Sequence, residues 1–177
     1  RGQRLLRPPS RCKSCYTGGR APPTSARIVR VGGDSAGLIL VCVAVEIIGV
    51  NQHLLFASDK DKATRAMTKH NFHMAPGAMC PDIMDRDDAE LPSVDLYTAG
   101  PPCQPFSAEG RGEGVGDVRS VVFVRVLHTI KVVRTATFIL ENVMGLKRSH
   151  KVAYESILKF LQHIEDSDGR RTYEVRT

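Results

Sequence analysis

The sequence predicts a doubly wound α/β domain, with a mostly parallel sheet and helices on both of its faces. Three observations support this: short apolar runs alternate with helical stretches, acidic residues follow several of those runs, and there are no internal repeats. With 177 residues and 42% hydrophobic content, the chain is long enough for one core but not for two. Since no apolar run reaches the roughly 20 residues needed to cross a bilayer, we expect a soluble protein.

The predicted elements follow one another in a regular order. Short runs rich in Val, Ile, Leu and aromatic residues predict strands at residues 28–31, 54–58, 78–80, 94–98 and 136–140, and the start of another at 173–175. Stretches with helical periodicity or good helix formers predict helices at 62–71, 121–133 and 151–163. The glycines of residues 32–37 predict a turn after the first strand. The Val and Ile content of residues 38–48 favours a strand by propensity alone.

The positive charge is concentrated at the start of the chain. Residues 1–33 contain eight Arg and Lys residues and no Asp or Glu, within an overall net charge of +6. We therefore predict two parts, a basic flexible leader at 1–27 and an ordered domain at 28–177. The leader suits an arm that holds phosphates, a transit segment or a disordered extension. We expect a nuclear protein, with an organellar location as the alternative.

The cysteines do not indicate a disulfide framework. There are five, scattered and odd in number, which favours a reducing compartment. Cys12 and Cys15 form a single CxxC pair with no second ligand pair nearby, so we expect no metal site. Cys42 and Cys80 are expected to be small packing residues.

The most informative motif is a stiff loop that presents a thiol. Gly100, Pro101 and Pro102 follow an apolar strand and restrict the backbone just before Cys103. Glu141 follows a second predicted strand. Because functional groups in an open α/β sheet gather at the carboxyl ends of its strands, the two residues form a candidate pair of nucleophile and acid.

The first half of the sequence offers a candidate cofactor site. A glycine-rich turn after the first strand permits close approach of a ligand, and Asp59 ends the second strand. A carboxylate at that position accepts hydrogen bonds from both hydroxyls of a ribose. The alternative is that Asp59 is a solvated turn residue.

Three strings in this order resemble the cytosine carbon-5 DNA methyltransferases. They are Gly-Pro-Pro-Cys-Gln-Pro-Phe-Ser at 100–107, Asp-Val-Arg-Ser at 117–120 and Glu-Asn-Val at 141–143. Upstream, Ala-Ser-Asp-Lys-Asp at 57–61 and Asp-Ile at 82–83 fall where that family keeps its cofactor acids. The resemblance covers residues 28–177 and implies a Rossmann-like fold that uses S-adenosyl-L-methionine.

The resemblance also implies a reaction. The Cys103 thiolate would add to carbon 6 of cytosine in DNA, and Glu141 would bind the nitrogen-3 edge of the ring. The base would be flipped out of the duplex, with the loop at 108–116 as a lid and Arg119 holding a phosphate or bracing that loop. An ordinary solvated arginine is the alternative for Arg119.

Further residues receive roles from the same resemblance. Asp59 would hold the ribose of S-adenosylmethionine and Asp82 the adenine amino group. The remaining cofactor-pocket residues would be Gly37, Ile83, Gly100, Pro102 and Val122, and the substrate-binding residues would be Gln104, Ser107 and Asn142.

The sequence departs from the family pattern in two places. The family carries Phe-x-Gly-x-Gly-Gly after its first strand, whereas residues 35–40 keep Gly37 but place Ile39 and Leu40 at the later glycine positions. The resemblance nevertheless predicts a helix over residues 38–48. The chain also ends before any Gln-x-Arg-x-Arg motif, so we expect a catalytic domain that is incomplete at its C-terminus. A tRNA cytosine carbon-5 methyltransferase, or a non-catalytic remnant that binds nucleic acid or a partner, are the alternative functions.

Overall fold

A computed structural model describes residues 28–35, 37–102 and 120–177, and five parallel strands in these ranges form one sheet. The strands are β1 (Val29–Asp34), β2 (Gln52–Ser58), β3 (Met79–Cys80), β4 (Leu96–Ala99) and β5 (Thr137–Leu140). Their order across the sheet is β3-β2-β1-β4-β5, which places β1 at the centre. From β1 at the middle of the sheet, β2 and β3 follow outward to one edge, and β4 and β5 then build the other half. The predicted α/β class is confirmed.

Helices lie between the strands and after the last of them. They are α1 (Gly37–Ile47), α2 (Lys62–Phe72), α3 (Ser120–Val133), α4 (Met144–Ser149) and α5 (Lys151–Gln162), with short 3-10 turns at Ile83–Asp85 and Asp88–Glu90. Helix α2 begins where the Asp61 carboxylate accepts a hydrogen bond from the Thr64 backbone N–H at 2.7 Å. This contact lowers the pKa of Asp61. No helix within the described ranges is long and apolar enough to cross a membrane.

The region around β1 corrects two predictions made from composition. The glycine-rich turn predicted at 32–37 is wrong for its first half, because Gly32 and Gly33 continue β1 and pair with strands on both sides. The turn comes at Ser35, whose φ is 71°. Residues 38–47 are helical, as the family resemblance predicts and their strand propensity does not. For Gly32 and Gly33, hydrogen bonding to the strands on both sides of β1 outweighs the low strand preference of glycine.

The C-terminal segment at 173–175 does not form the predicted strand. The Tyr173 ring instead packs edge-on against Phe138, with ring centroids 5.0 Å apart. Its hydroxyl donates to the Thr135 carbonyl oxygen at 2.7 Å. The alternating pattern therefore reflects side-chain packing at the start of β5 rather than a further strand.

Two separate cores lie on the two faces of the sheet. Neighbouring residues of β4 divide between them, since Tyr97 belongs to the core beneath α3 and Leu96 packs against the core beneath α1. Successive side chains of a strand point to opposite faces, so helices cover both sides as predicted. The larger core joins Tyr97 to residues from α3, α4 and α5; the smaller contains Val31, Cys42, Leu54, Ala57 and Met79.

An irregularity in β2 sets the side on which Phe56 lies. Val31 pairs with Leu54, but the next residue, Gly32, pairs with Phe56, so β2 contains one extra residue. This bulge turns the Phe56 side chain to the opposite face from Leu54. Its ring then lies against Gly32, where a Cβ would stand 2.3 Å from two ring atoms. Only glycine accommodates the ring at this position.

We predict that Gly32→Ala destabilises the fold by about 1–3 kcal/mol, because the added methyl forces the Phe56 ring to move within a packed core. Urea unfolding followed by circular dichroism measures the change. In a double-mutant cycle, Phe56→Leu provides room, so the cost of Gly32→Ala should shrink in that background. Strictly additive costs for the two substitutions would show that the ring does not depend on Gly32.

Candidate active site

The carboxyl ends of the strands bring several predicted site residues to one edge of the sheet. The Gly100 N–H donates to the Asp34 carbonyl oxygen at 3.3 Å, and the Glu141 N–H donates to the Ala99 carbonyl oxygen at 3.0 Å. On the other side, the Asp59 N–H donates to the Cys80 carbonyl oxygen at 3.3 Å. Because all the strands are parallel, the residues that follow them share this edge.

The Glu-Asn-Val segment lies against the start of the Gly-Pro-Pro loop. The Asn142 amide nitrogen donates to the Pro101 carbonyl oxygen at 3.3 Å, and its amide oxygen accepts from the Val143 N–H at 2.9 Å. Pro101 is buried, whereas Glu141 is exposed. The segment that carries Glu141 and the segment that leads into Cys103 are therefore joined by a direct hydrogen bond.

Several predicted residues lie outside the described part of the chain. These are Cys103, Gln104, Ser107 and Arg119, together with the predicted lid at 108–116 and the leader at 1–27. The described structure ends at Pro102, the residue before Cys103, and resumes at Ser120.

Asp82 and Asp59 present carboxylates at the ends of β3 and β2. One Asp82 oxygen accepts from the Met84 N–H at 3.0 Å, and the other pairs with the Lys60 ammonium at 2.9 Å. Partial burial alone would raise the pKa of Asp82, but these two partners together lower it. The Asp59 carboxylate accepts from the Asp61 N–H at 2.8 Å. Both acids therefore offer hydrogen-bond acceptors at neighbouring strand ends.

Ile83 and Val122 come from adjoining elements. Ile83 is buried and belongs to the core under α3, and Val122 packs against the same core from the first turns of α3. The Arg125 guanidinium, one turn after Val122, donates from Nε to the Ile83 carbonyl oxygen at 3.3 Å. The 3-10 turn at Ile83–Asp85 is thereby attached to α3.

A buried polar cluster is centred on Asp34, the last residue of β1. The Asp34 carboxylate is fully buried and receives a two-pronged contact from the Arg86 guanidinium, at 2.6 and 3.0 Å. The Ser58 hydroxyl donates to it at 2.6 Å, and the Tyr97 hydroxyl also donates to it. Burial and the adjacent carboxylate raise the pKa of Tyr97, so the phenol keeps its proton.

The Arg86 side chain has further partners on its other side. Its Nε donates to Asp88 at 3.1 Å and one Nη donates to the Thr129 hydroxyl at 3.2 Å. The guanidinium carbon lies 5.2 Å from the centroid of the Phe56 ring. Burial opposes its charge, but the Asp34 contact raises the pKa of Arg86 overall. This cluster was not predicted from the sequence, because Asp34 falls within the predicted turn at 32–37 and no role was predicted for Arg86.

Only one signal in the sequence pointed to Asp34. It comes three residues after the first predicted strand, whereas Asp59 directly follows the second, and the same reasoning about acids at strand ends applies to it. The two preceding glycines, Gly32 and Gly33, favoured a turn, so Asp34 was not predicted to end a strand.

The described residues fit the adenosine half of S-adenosylmethionine. Ribose hydroxyls and the adenine amino group are hydrogen-bond donors, and the Asp59 and Asp82 carboxylates are acceptors. Ile83 and Val122 are apolar, as the lining of a pocket for a planar base is, and both pack against the core under α3. Helix α1 begins at Gly37, the glycine that this chain shares with the family motif.

The two described cysteines are not candidates for the nucleophile. Cys42 is buried between α1 and the sheet, and burial raises the pKa of its thiol to about 12. Cys80 is half-buried, and its thiol donates to the Asp82 carbonyl oxygen at 3.0 Å. The prediction that Cys42 is a packing residue is confirmed.

Comparisons with known proteins identify the family. The family model for the C-5 cytosine-specific DNA methylases matches residues 32–175. The chain is 33% identical over 122 residues to the Type II methyltransferase M.HgiCI of Herpetosiphon aurantiacus, covering 68% of this chain and 28% of that protein. It is 34% identical over 124 residues to the Type II methyltransferase M1.ScrFI of Lactococcus lactis subsp. cremoris, covering 70% and 29% respectively.

Solved structures share the fold. The methyltransferase EhMeth of Entamoeba histolytica aligns with a TM-score of 0.54 at 18% identity, over 76% of this chain and 43% of that one. A Spodoptera frugiperda DNMT2 variant aligns with a TM-score of 0.51 at 20% identity, over 76% and 41%. The chain spans less than a third of the two curated relatives named above. On the extent of the family match, the chain belongs to the C-5 cytosine-specific DNA methylases.

Proposed function

We propose that this chain carries the part of a DNA methyltransferase that transfers a methyl group from S-adenosylmethionine to carbon 5 of cytosine. The observation that supports this most is the hydrogen bond from Asn142 to Pro101, which joins the Glu141 segment to the loop leading into Cys103. The candidate cofactor acids lie along the same sheet edge. The family match and the relatives that are named as Type II methyltransferases support the same reaction.

In this proposal Cys103 is the nucleophile. Carbon 5 of cytosine is a poor nucleophile, so the ring must first gain electron density. The Cys103 thiolate forms a bond to carbon 6, and the electron pair of the 5,6 double bond becomes available at carbon 5. A free cysteine with a pKa near 8.5 is only a few per cent thiolate at neutral pH, so the site must favour its deprotonation.

Glu141 is proposed to act on the ring during that addition. Its side chain hydrogen-bonds the nitrogen-3 edge, where negative charge develops as the thiolate adds. The backbone contact of Glu141 with β4 fixes the start of its side chain beside the Gly-Pro-Pro loop. After methyl transfer, the carbon-5 proton passes to solvent, its bonding pair re-forms the 5,6 double bond, and the carbon 6–sulfur bond breaks to release the Cys103 thiolate.

The cofactor is proposed to bind along the edge formed by β1, β2 and β3. Asp59 accepts from the ribose hydroxyls and Asp82 from the adenine amino group, with Ile83 and Val122 against the base. Gly37, Gly100 and Pro102 are proposed to line the remainder of the pocket. When bound, S-adenosylmethionine supplies an electrophilic methyl group on its sulfonium.

The proposed substrate is a cytosine flipped out of duplex DNA, since a stacked base does not expose its face to a thiol. Gln104, Ser107 and Asn142 are proposed to contact the flipped base, and Arg119 to hold a phosphate or the loop at 108–116. A tRNA substrate stays as the alternative, and the first experiment below tests it in parallel.

We predict a covalent adduct between Cys103 and DNA that contains 5-fluorocytosine, in the presence of S-adenosylmethionine, when this chain is completed with the Gln-x-Arg-x-Arg motif and the rest of the catalytic domain. Fluorine at carbon 5 cannot leave as a proton does, so the Cys103 bond to carbon 6 persists. A denaturing gel detects the adduct. Cys103→Ala should abolish it, and the matched variant Cys42→Ala should retain it because that thiol is buried away from the site.

An adduct that survives Cys103→Ala would contradict the mechanism, as would a completed and folded protein that forms no adduct with either nucleic acid. Equivalent tRNA carrying 5-fluorocytosine provides the second arm. An adduct on tRNA and none on DNA would transfer the proposal to the RNA substrate.

We predict that Glu141→Gln slows adduct formation by about 10²–10³-fold, because one group that stabilises the developing charge is weakened. Single-turnover trapping measures the rate. Glu155→Gln is the matched control: this exposed acid on α5 makes only a 3.7 Å ion pair with Lys151, and its loss should not change the rate. Equal rates for Glu141→Gln and the unmodified protein would exclude Glu141 from the ring contact.

We predict that Asp59→Ala weakens S-adenosylmethionine binding by about 1–3 kcal/mol, as expected for the loss of a charge-assisted hydrogen-bond acceptor. Isothermal titration calorimetry gives the affinity. Asp168→Ala serves as the control, because this exposed acid contacts only its own turn and Arg170. An unchanged affinity for Asp59→Ala would remove Asp59 from the cofactor site.

A further inference from the structure

The Arg86 side chain connects three elements that surround the proposed adenosine site. Its guanidinium reaches Asp34 at the end of β1 and Thr129 on α3, while its backbone directly follows the turn at Ile83–Asp85. The side chain is only 7% exposed. The turn carries Ile83 and α3 carries Val122, two residues of the proposed site, so Arg86 is bonded to the elements that hold them.

A second arginine completes the connection. Arg125 on α3 donates to the Ile83 carbonyl oxygen and also to the Arg86 carbonyl oxygen. Asp88 accepts from Arg86 and lies 3.4 Å from the Arg125 guanidinium. The segment at 82–88 is therefore attached to β1 through Arg86 and to α3 through Arg125.

Stability alone gives little reason for such a cluster. A buried ion pair is often no more stabilising than well-packed apolar residues of similar size, because both charges lose their hydration. The planar guanidinium instead fixes the positions of several acceptors relative to one another, because its N–H donors point in fixed directions. A cluster of this kind beside a binding site points to a role in holding that site's shape.

We propose that Arg86 is a positioning residue for cofactor binding. By bridging Asp34, Asp88 and Thr129, it sets the position of Asp82 and Ile83 relative to β1 and α3. This inference rests on the proposed function, because it assumes that those two residues contact S-adenosylmethionine. Arg86 itself touches no ligand in this proposal.

Two variants separate geometry from charge. Arg86→Lys keeps a positive charge beside Asp34, but a single ammonium cannot bridge Asp34, Asp88 and Thr129 together. The double variant Asp34→Asn with Arg86→Met removes both charges while leaving an amide oxygen to accept from the Ser58 and Tyr97 hydroxyls. Neither variant leaves Asp34 as an unpaired buried carboxylate, the change most damaging to folding.

Calorimetry on the whole chain measures the dissociation constant for S-adenosylmethionine. We expect it to rise about tenfold or more in both variants, as when groups that orient ligands are lost at metal sites. Hydrogen exchange of the unliganded protein gives a second readout, with faster exchange expected in residues 82–90. Arg30→Met is the matched control: Arg30 pairs with Asp95 at 3.0 Å at the opposite end of β1, and its loss should change neither quantity.

The outcomes separate the two proposals. If the unmodified chain binds S-adenosylmethionine and both variants bind it equally well, Arg86 has no positioning role and the proposed function stands. Unchanged exchange in residues 82–90 of both variants would also overturn the inference. If the unmodified chain does not bind, the proposed cofactor site itself fails and the inference fails with it.

Discussion

The buried contact between Asp34 and Arg86 is the interaction on which the described structure depends most. It neutralises a fully buried carboxylate at the end of the central strand, and it brings the segment after β3 back to β1. Removing one partner alone would leave an uncompensated charge in the core, at a cost of about 3–5 kcal/mol. Because the central strand borders both halves of the sheet, any shift at Asp34 reaches both.

The packing around this pair explains why β1 contains glycines in its middle. The bulge in β2 turns the Phe56 ring across Gly32, and the Arg86 guanidinium lies over the same ring. A side chain at position 32 would displace the ring and, through it, the arginine. The glycines that suggest a flexible turn in the sequence thus serve close packing within a strand. The turn itself is displaced to Ser35, where a positive φ is held by the hydrogen bond from the Ser35 N–H to Ser58.

The end of β1 is also where this chain departs from the family's glycine motif. In this chain the residues at the later glycine positions, Ile39 and Leu40, belong to α1. The cluster of Asp34, Arg86 and Asp88 lies at the end of β1. The Asp59 and Asp82 carboxylates, which follow β2 and β3, are hydrogen-bond acceptors at the same edge of the sheet. Asp59, Asp82 and the Glu-Asn-Val segment lie at one edge of the sheet because the carboxyl ends of parallel strands meet there. This property allows motifs that are distant in the sequence to form one site.

The sequence by itself determined the element order, the parallel class and the family, because periodicity and short motifs are local properties of the chain. It also identified Asp59, Asp82 and Glu141 as residues that follow strands. It gave no indication of α4, of the bulge that orients Phe56, or of the partnership between Asp34 and Arg86, which are 52 residues apart. Composition misassigned residues 32–34 as a turn and 38–47 as a strand, and tertiary structure corrected both. Propensity is a property of a single residue type. Whether a charged side chain can be buried depends on whether a distant segment of the chain brings an opposite charge to it.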